Sequence, residues 1–347
     1  MKNQHFGKMN SHFKSFIQTA KTGTSTTASI SLTNIKNSQY TGQISIGDPQ
    51  NVFSVIYDTG SANVWINSKI CKDQGCKKRK QYDHDRSENY ERENLHLDVE
   101  FGTGELKGEF SQDTFYFGGI QIDKQDFIEI GEEIGMVFQD QQFDGIIGLA
   151  FPSMAAYNKN SIFDNIIQQK KLNKNILSFY MSKNQGRNDS QLTIGGIDKS
   201  KVFGQVNYHK VLKDYYWIFK ADNILLGGKD VGLCDKVCYL IADTGTSLIT
   251  APEQKAFTLL ELINVNEDCS NKYQINNLDL TFIVDGHKYS LTPQEYIIEE
   301  KLTQGYTFAG TQKTICQLGV MPLDIPNDED GFQYEQAWIC KYMEIVK

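Results

Sequence analysis

The chain carries two copies of a short motif that places an aspartate at a sharp turn. The first copy consists of Asp58, Thr59, Gly60 and Ser61, and the second consists of Asp243, Thr244, Gly245 and Thr246. A single Asp-Thr-Gly is weak evidence, because the same residue types are favoured in ordinary turns. Two copies, 185 positions apart and each preceded by apolar, strand-like residues, indicate a duplicated unit that supplies two carboxylates to one reaction.

Two carboxyls held close together suit the attack of water on an unreactive bond. Like charges repel in a cleft of low dielectric, so the two groups do not both ionise and they share one proton. The ionised member can then act as general base on a bound water, while the protonated member polarises a peptide carbonyl. This chemistry requires no metal and no cofactor, and we predict neither.

The residues that follow each aspartate are assigned to three supporting roles. A glycine allows the sharp backbone bend, the first threonine can link the two turns, and the last residue can donate a hydrogen bond to the carboxylate. In that order these residues are Gly60 and Gly245, Thr59 and Thr244, and Ser61 and Thr246.

Composition favours a mainly β protein of two domains. The 347 residues include 28 glycines, 20 phenylalanines and 17 tyrosines, and alternating runs such as residues 95–101 are typical of strands. The sequence contains no nucleotide-binding glycine loop, no zinc-ligand spacing and no apolar run of eighteen residues, so no membrane span is predicted. The basic run at 77–80 is interpreted as a solvated loop, because the net charge of −8 does not favour nucleic acid.

Over residues 30–339 the chain resembles the pepsin-like aspartic proteases, the group of pepsin and cathepsin D. The resemblance is carried, in chain order, by segments 38–47, 101–104, 143–150, 192–198 and 215–217 in addition to the two turns. It implies an all-β, bilobal fold with few short helices, with an N-terminal lobe over 29–200 and a C-terminal lobe over 201–347. It also implies an aspartic endopeptidase of acid pH whose catalytic dyad is Asp58 and Asp243, and proton sharing is a known property of that dyad.

The same resemblance assigns further site residues. Trp65 supports the first active-site turn, and segment 101–104 is the tip of a flap over the substrate. The implied substrate-binding residues are Gly60, Phe101, Gly102, Thr103, Tyr216, Gly245 and Thr246. The family usually has tyrosine where this chain has Phe101, so one hydrogen bond of about 1 kcal/mol is lost and we expect slower or less selective catalysis. The implied substrates are extended polypeptides with apolar side chains on both sides of the cut.

The first 28 residues are interpreted as the remainder of a propeptide, so that the enzyme is made as a zymogen. Five lysines precede the first acidic residue, Asp48, and the rest of the chain carries a charge of −13. A basic segment on an acidic body suits an internal inhibitor that is released on acidification. An apolar stripe at helical spacing is formed by Phe6, Met9, Phe13, Phe16, Ile17 and Ala20. A mitochondrial transit peptide and a disordered tail are the alternatives, and we expect the true start to lie upstream.

The seven cysteines indicate the compartment. A metal site is the alternative for the two closely spaced pairs, although neither pair has the Cys-x-x-Cys spacing. The family resemblance implies the disulfides Cys71–Cys76, Cys234–Cys238 and Cys269–Cys316, which leaves Cys340. Disulfides imply the secretory pathway, with a lysosome, an acidic vacuole or the exterior as destination. A monomer is expected, because one chain supplies both aspartates.

The end of the sequence departs from the family pattern. Family members continue after an Ala-Trp-Ile strand with Leu-Gly-Asp and several closing strands, whereas residues 337–339 here are followed by Cys340 and Lys341. We therefore expect the second lobe to lack those closing strands and to have no equivalent of the Ile-Ile-Gly buttress at 146–148. The alternative function is a catalytically inactive or truncated pepsin-like homologue that binds peptides.

Overall fold

A computed structural model describes residues 17–22, 25–101, 104–135, 138, 141–235, 237–302, 313–327, 331–334 and 336–341. These residues form twenty-two strands and four α-helices of 4 to 11 residues, so the predicted all-β class with few short helices is confirmed. They fall into two compact units that divide between Tyr208 and His209. Within the described ranges, none of the helices has the length and hydrophobicity that crossing a bilayer requires.

The first unit is built on one large sheet. Its strands are β1 (Ile17–Thr22), β2 (Ser25–Ile35), β3 (Gln39–Ile46), β4 (Asn51–Asp58), β5 (Val64–Asn67), β6 (Glu91–Phe101), β7 (Gly104–Phe117), β8 (Ile120–Ile134), β9 (Gly145–Gly148), β10 (Leu177–Tyr180) and β11 (Ser190–Ile194). The strand order is β10-β11-β2-β3-β4-β9-β5-β8-β7-β6, and β1 pairs with β2. Two helices accompany the sheet, α1 (Gln74–Lys78) and α2 (Ile162–Gln168).

The centre of this sheet carries the first turn. Strand β4 pairs in parallel with β9, and β5 pairs antiparallel with the other edge of β9. All four residues of β9 are buried, as are the last four residues of β4. Continuously buried strands, apolar apart from Asp58 at the end of β4, are typical of parallel pairs that are covered on both faces. The parallel register places Asp58 opposite Gly148.

The N-terminal segment is extended where the structure describes it. Residues Ile17–Thr22 form β1, which pairs antiparallel with β2 so that Ile17 lies opposite Ile30. The helical spacing predicted for Ile17 and Ala20 is therefore wrong, because the edge of β2 offers backbone hydrogen bonds to an extended segment. The other members of the stripe, at positions 6–16, lie outside the described residues, and the propeptide remains a prediction.

The second unit contains three smaller sheets. Its strands are β12 (Ile218–Ala221), β13 (Asn223–Leu226), β14 (Lys229–Asp230), β15 (Cys238–Ala242), β16 (Ile249–Ala251), β17 (Leu280–Val284), β18 (His287–Leu291), β19 (Ile297–Leu302), β20 (Lys313–Leu318), β21 (Val320–Pro322) and β22 (Ala337–Cys340). The sheet orders are β12-β15-β22-β16-β21, β14-β13-β17-β18 and β19-β20. The helices are α3 (Glu253–Ile263) and α4 (Pro293–Tyr296).

Strand β22 occupies in the second unit the place that β9 has in the first. It pairs in parallel with β15 and antiparallel with β16, just as β9 pairs with β4 and β5. The expectation that this unit has no equivalent of the buttress is therefore wrong. All four residues of β22 are buried, so an apolar run forms this central strand although it ends in Cys340 and not in Ile-Gly.

Candidate active site

The first turn holds the carboxylate of Asp58 with two donors. Asp58 is the last residue of β4 and is only 6% exposed. The backbone N–H of Gly60 donates to Oδ1 at 2.8 Å, and the hydroxyl of Ser61 donates to Oδ2 at 2.5 Å. Both carboxylate oxygens are thus oriented by groups within three residues of the aspartate. Hydrogen bonds to an ionised acceptor are among the stronger ones in proteins.

The second turn repeats this arrangement in part. Asp243 directly follows β15, and its Oδ1 accepts the N–H of Gly245 at 2.7 Å and that of Thr246 at 3.2 Å. The hydroxyl of Thr246 donates to the carbonyl of Leu248 at 3.1 Å. The expected side-chain donation from Thr246 to the carboxylate is therefore replaced by a backbone donation. Thr59 and Thr244 are both buried.

The strands beneath the turns present different residues to the two aspartates. Leu149 donates its N–H to the carbonyl of Asp58 at 2.7 Å, which places Gly148 opposite that aspartate. A Cβ at Gly148 would lie 2.4 Å from the carbonyl carbon of Ala62, so no side chain fits there. In the second unit Asp243 donates its N–H to the carbonyl of Cys340 at 3.1 Å, which continues the register and places Lys341 opposite Asp243.

A further carboxylate, Asp144, binds the backbone of β4 and of the segment at Lys80, and sequence reasoning missed it. Asp144 directly precedes β9, and its two oxygens accept the backbone N–H groups of Ser54, at 2.8 Å, and Lys80, at 2.9 Å. Burial raises the pKa of Asp144, and the two backbone hydrogen bonds oppose that rise. The aspartate is visible in the Phe-Asp-Gly start of segment 143–150, but that string does not predict its two distant backbone partners.

Trp65 lies on β5 and is buried beside a small cavity within the first unit. The apolar walls of the cavity are formed by Trp65, Leu106, Ile130, Phe138, Phe143 and Ile146. Its polar edge is an ion pair between Arg79 and Glu133, whose side chains are 7% and 2% exposed. Burial raises the pKa of Glu133, and Arg79 partly offsets that rise. The cavity combines aromatic and aliphatic walls with one neutralised pair of charges.

The hairpin assigned as a flap is present in its backbone. Strand β6 ends at Phe101, which pairs with Gly104 at the start of β7. The intervening Gly102 and Thr103, both predicted to contact substrate, lie outside the described residues.

Tyr216 lies in the second unit, two residues before β12. Its ring packs edge to face on Tyr334, with ring centroids 5.7 Å apart. The next residue, Trp217, accepts the N–H of Ala242 at 3.0 Å through its carbonyl. Because Ala242 immediately precedes Asp243, this bond ties the aromatic segment to the base of the second turn.

The three disulfides implied by the family resemblance are present. Cys71–Cys76, Cys234–Cys238 and Cys269–Cys316 are bonded, with Cα atoms 6.1, 5.6 and 5.1 Å apart. The sulfurs of the two closely spaced pairs are therefore not available as thiolate ligands for a metal. The remaining cysteine, Cys340, is buried as a free thiol, and burial raises its pKa to about 12.

Comparison with known proteins assigns the class. A family model of eukaryotic aspartyl proteases matches residues 39–327. The chain belongs to the eukaryotic aspartyl protease family, and its activity is that of an aspartic-type endopeptidase.

Particular relatives agree with this assignment. The chain is 36% identical to cathepsin D of Chionodraco hamatus over 304 residues, which cover 85% of this chain and 74% of that protein. It is 36% identical to cathepsin E of Mus musculus over 303 residues, with the same coverage. It is 34% identical to gastricsin of Homo sapiens over 281 residues, 79% of this chain and 72% of that protein.

Proposed function

We propose that Asp58 and Asp243 are the catalytic pair with which this endopeptidase hydrolyses peptide bonds at acid pH. The observation that carries the proposal is the repeated hydrogen bond from a glycine N–H to Oδ1 of each aspartate, at 2.8 and 2.7 Å. Each of these turns ends a strand that runs parallel to a buried central strand, β9 or β22. Each unit thus supplies one carboxylate, and the two carboxylates are held by the same turn at the end of equivalent strands.

In the proposed mechanism the two carboxyls hold one proton between them. The ionised group takes a proton from water as the water oxygen attacks the carbonyl carbon of the scissile peptide bond. The protonated group donates its proton to the carbonyl oxygen, which gives a tetrahedral diol. When the diol collapses, the C–N bond breaks, the first group returns its proton to the leaving nitrogen, and the second group takes a proton from the diol, so that the pair again holds one proton. The glycine N–H groups keep each carboxylate in position during this transfer, so no reorganisation is needed when the proton moves.

We propose extended polypeptides with apolar side chains next to the cut as substrates. Membership of the eukaryotic aspartyl protease family supports polypeptides as the substrate class. The β6–β7 hairpin supports the role of a flap that covers the bound chain. Phe101, Gly102 and Thr103 at its tip, with Tyr216 in the second unit, complete the proposed contacts.

We also propose synthesis as a zymogen that enters the secretory pathway. Three disulfides support folding in an oxidising compartment. The basic segment 1–28 is the proposed propeptide, and it would be released as acidification protonates the carboxylates that hold it. A lysosome, an acidic vacuole or the exterior is the proposed destination, and the active form is a monomer.

The test replaces each aspartate in the full chain, activated at acid pH. Asp58→Asn and Asp243→Asn should each abolish cleavage of an unfolded protein at pH 3 to 5. The matched control is Asp230→Asn, because Asp230 Oδ1 accepts the N–H of Gly232 at 3.0 Å in the same Asp-x-Gly geometry, on an exposed hairpin. Parental cleavage by Asp58→Asn or Asp243→Asn would refute the proposed pair.

One observation favours the alternative of a peptide-binding homologue without catalysis. Lys341 stands opposite Asp243, where the first unit has a glycine opposite Asp58. A positive charge beside Asp243 would favour loss of the proton that the two aspartates must share for catalysis. If the full chain binds an apolar peptide at pH 4 and leaves it uncut, with binding unchanged in Asp58→Asn, the alternative is correct.

A further inference from the structure

Lys341 takes the position in the second unit that must be glycine in the first. The bond from the Asp243 N–H to the Cys340 carbonyl, at 3.1 Å, extends the parallel pairing of β15 and β22 by one residue. Residues directly opposite each other in a parallel pair project their side chains from the same face, with Cβ atoms about 5 Å apart. The side chains of Lys341 and Asp243 thus leave the sheet side by side.

Lys341 is also buried. Only 3% of the residue is exposed. An ammonium group that is taken out of water loses much hydration free energy, and it remains charged only where negative or polar groups replace that water. Whether the buried ammonium of Lys341 keeps its charge therefore depends on the side chains that the neighbouring strands supply.

The strands packed against β22 supply one acidic group. Between Cys238 and Ala251, a stretch that includes β15, the second turn and β16, Asp243 is the only acidic or basic residue. The other titratable side chains here are Tyr239 on β15 and the neighbouring Cys340, whose pKa of about 12 keeps its thiol neutral. One strand further away, β12 carries Lys220, which is exposed.

We propose that Lys341 is a positioning residue for the reaction: its ammonium lies against the carboxylate of Asp243 and favours the ionised form of that group. This inference rests on the proposed function of Asp58 and Asp243 as a pair. The pair must retain one proton to work, and a nearby cation makes that proton leave at lower pH. As pH rises, cleavage by the parent should therefore decline at a lower pH than cleavage by a variant without the lysine.

The first test compares pH–rate profiles of the activated full chain. Lys341→Met removes the charge at similar length, and the alkaline limb of kcat/KM should move up by about one pH unit or more, because an opposite charge at this distance shifts a carboxyl by that much. Lys341→Arg keeps the charge and should retain the parental limb. The inference is overturned if the profile of Lys341→Met superimposes on the parental profile while Asp243→Asn abolishes cleavage.

A second test does not depend on activity. The melting temperatures of the parent, Lys341→Met, Asp243→Asn and the double variant form a cycle that can be measured at pH 6 and at pH 2.5. The two substitutions should be coupled at pH 6, and the coupling should weaken at pH 2.5 because protonation of Asp243 removes the charge that the ammonium contacts. Additivity at both pH values would overturn the inference, whatever the activity of the chain.

These two tests separate the two ideas. Parental cleavage by Asp243→Asn refutes the proposed catalytic pair, while coupling in the melting cycle still supports the contact between Lys341 and Asp243. Should Lys341→Met fail to fold, Lys341→Gln removes the same charge and keeps a polar end group, and it is read by the same two measurements.

Discussion

Ser61 donates its hydroxyl to Oδ2 of Asp58 at 2.5 Å. Thr246 stands at the corresponding place in the second turn, yet its hydroxyl donates to the carbonyl of Leu248 at 3.1 Å. The two turns share the glycine donor to Oδ1 but differ in how a side-chain hydroxyl is used. The two copies of the motif therefore hold their aspartates with different hydrogen bonds, because the hydroxyl of Ser61 donates to its aspartate whereas that of Thr246 donates to a carbonyl.

This difference predicts unequal effects of removing the two hydroxyls. Ser61→Ala removes a charge-assisted hydrogen bond of about 2 kcal/mol, so kcat should fall by about tenfold or more. Thr246→Val removes a bond to a neutral carbonyl and should leave kcat within about threefold of the parent. Steady-state cleavage of a peptide at pH 4 measures both. Equal losses in the two variants would contradict the assignment of the hydroxyls.

The close approach of the first turn to β9 predicts a severe effect of a single methyl group. A Cβ at Gly148 would lie 2.4 to 2.7 Å from backbone atoms of Ala62 and Asn63, which have little freedom to move. Gly148→Ala should therefore cost about 3 kcal/mol of unfolding free energy. Gly196→Ala is the control, because its Cβ would meet Thr27 at 3.5 Å, an ordinary contact. Urea unfolding of both variants measures the difference, and similar midpoints would contradict it.

The buried pair Arg79–Glu133 predicts that one partner alone is worse than none. Arg79→Met leaves a buried carboxyl without its cation and should destabilise the protein by about 3 kcal/mol at pH 7. The double variant Arg79→Met/Glu133→Leu should recover part of that loss. Lys124→Met, in an exposed pair with Glu91, is the control and should change stability by less than about 1 kcal/mol. A double variant no more stable than Arg79→Met would count against the argument.

The disulfides should contribute according to the lengths of the loops they close. Cys269–Cys316 spans 47 positions and Cys71–Cys76 spans five. In the chain-entropy account, loss of the first costs about 4 kcal/mol and loss of the second about 2 kcal/mol. Paired replacement of each bridge by alanines, followed by denaturant unfolding, measures both costs. A larger cost for the short loop would show that native contacts outweigh loop entropy here.

The raised pKa of Asp144 predicts a pH dependence of stability with a definite sign. Burial raises the folded-state pKa of Asp144 above the unfolded value of about 3.9. Its contribution is then fully present below about pH 3.9 and is lost as pH rises through the higher folded value. Melting temperatures of Asp144→Asn relative to the parent should therefore become more favourable between pH 3.5 and pH 6. A difference that is constant over this range would contradict the raised pKa.

Local signals in the sequence predicted the elements that depend on near neighbours. Ser61 can reach Asp58 because both belong to one four-residue turn. The helical spacing around Ile17 failed for the opposite reason. A segment that can pair with the edge of β2 becomes a strand, and no local pattern reveals that edge.

The sequence by itself determined the family, the all-β class, the two Asp-Thr-Gly turns and the cysteines that bond, because these depend on motifs that persist as short strings. Tertiary structure decided that Lys341 is buried and continues the register of β22 opposite Asp243, that the hydroxyl of Thr246 donates to a carbonyl, and that Arg79 pairs with Glu133. Each of these contacts is set by strand register or by burial between distant segments. A shift of one residue in that register would exchange the face of every side chain on β22, and only the folded sheet specifies it.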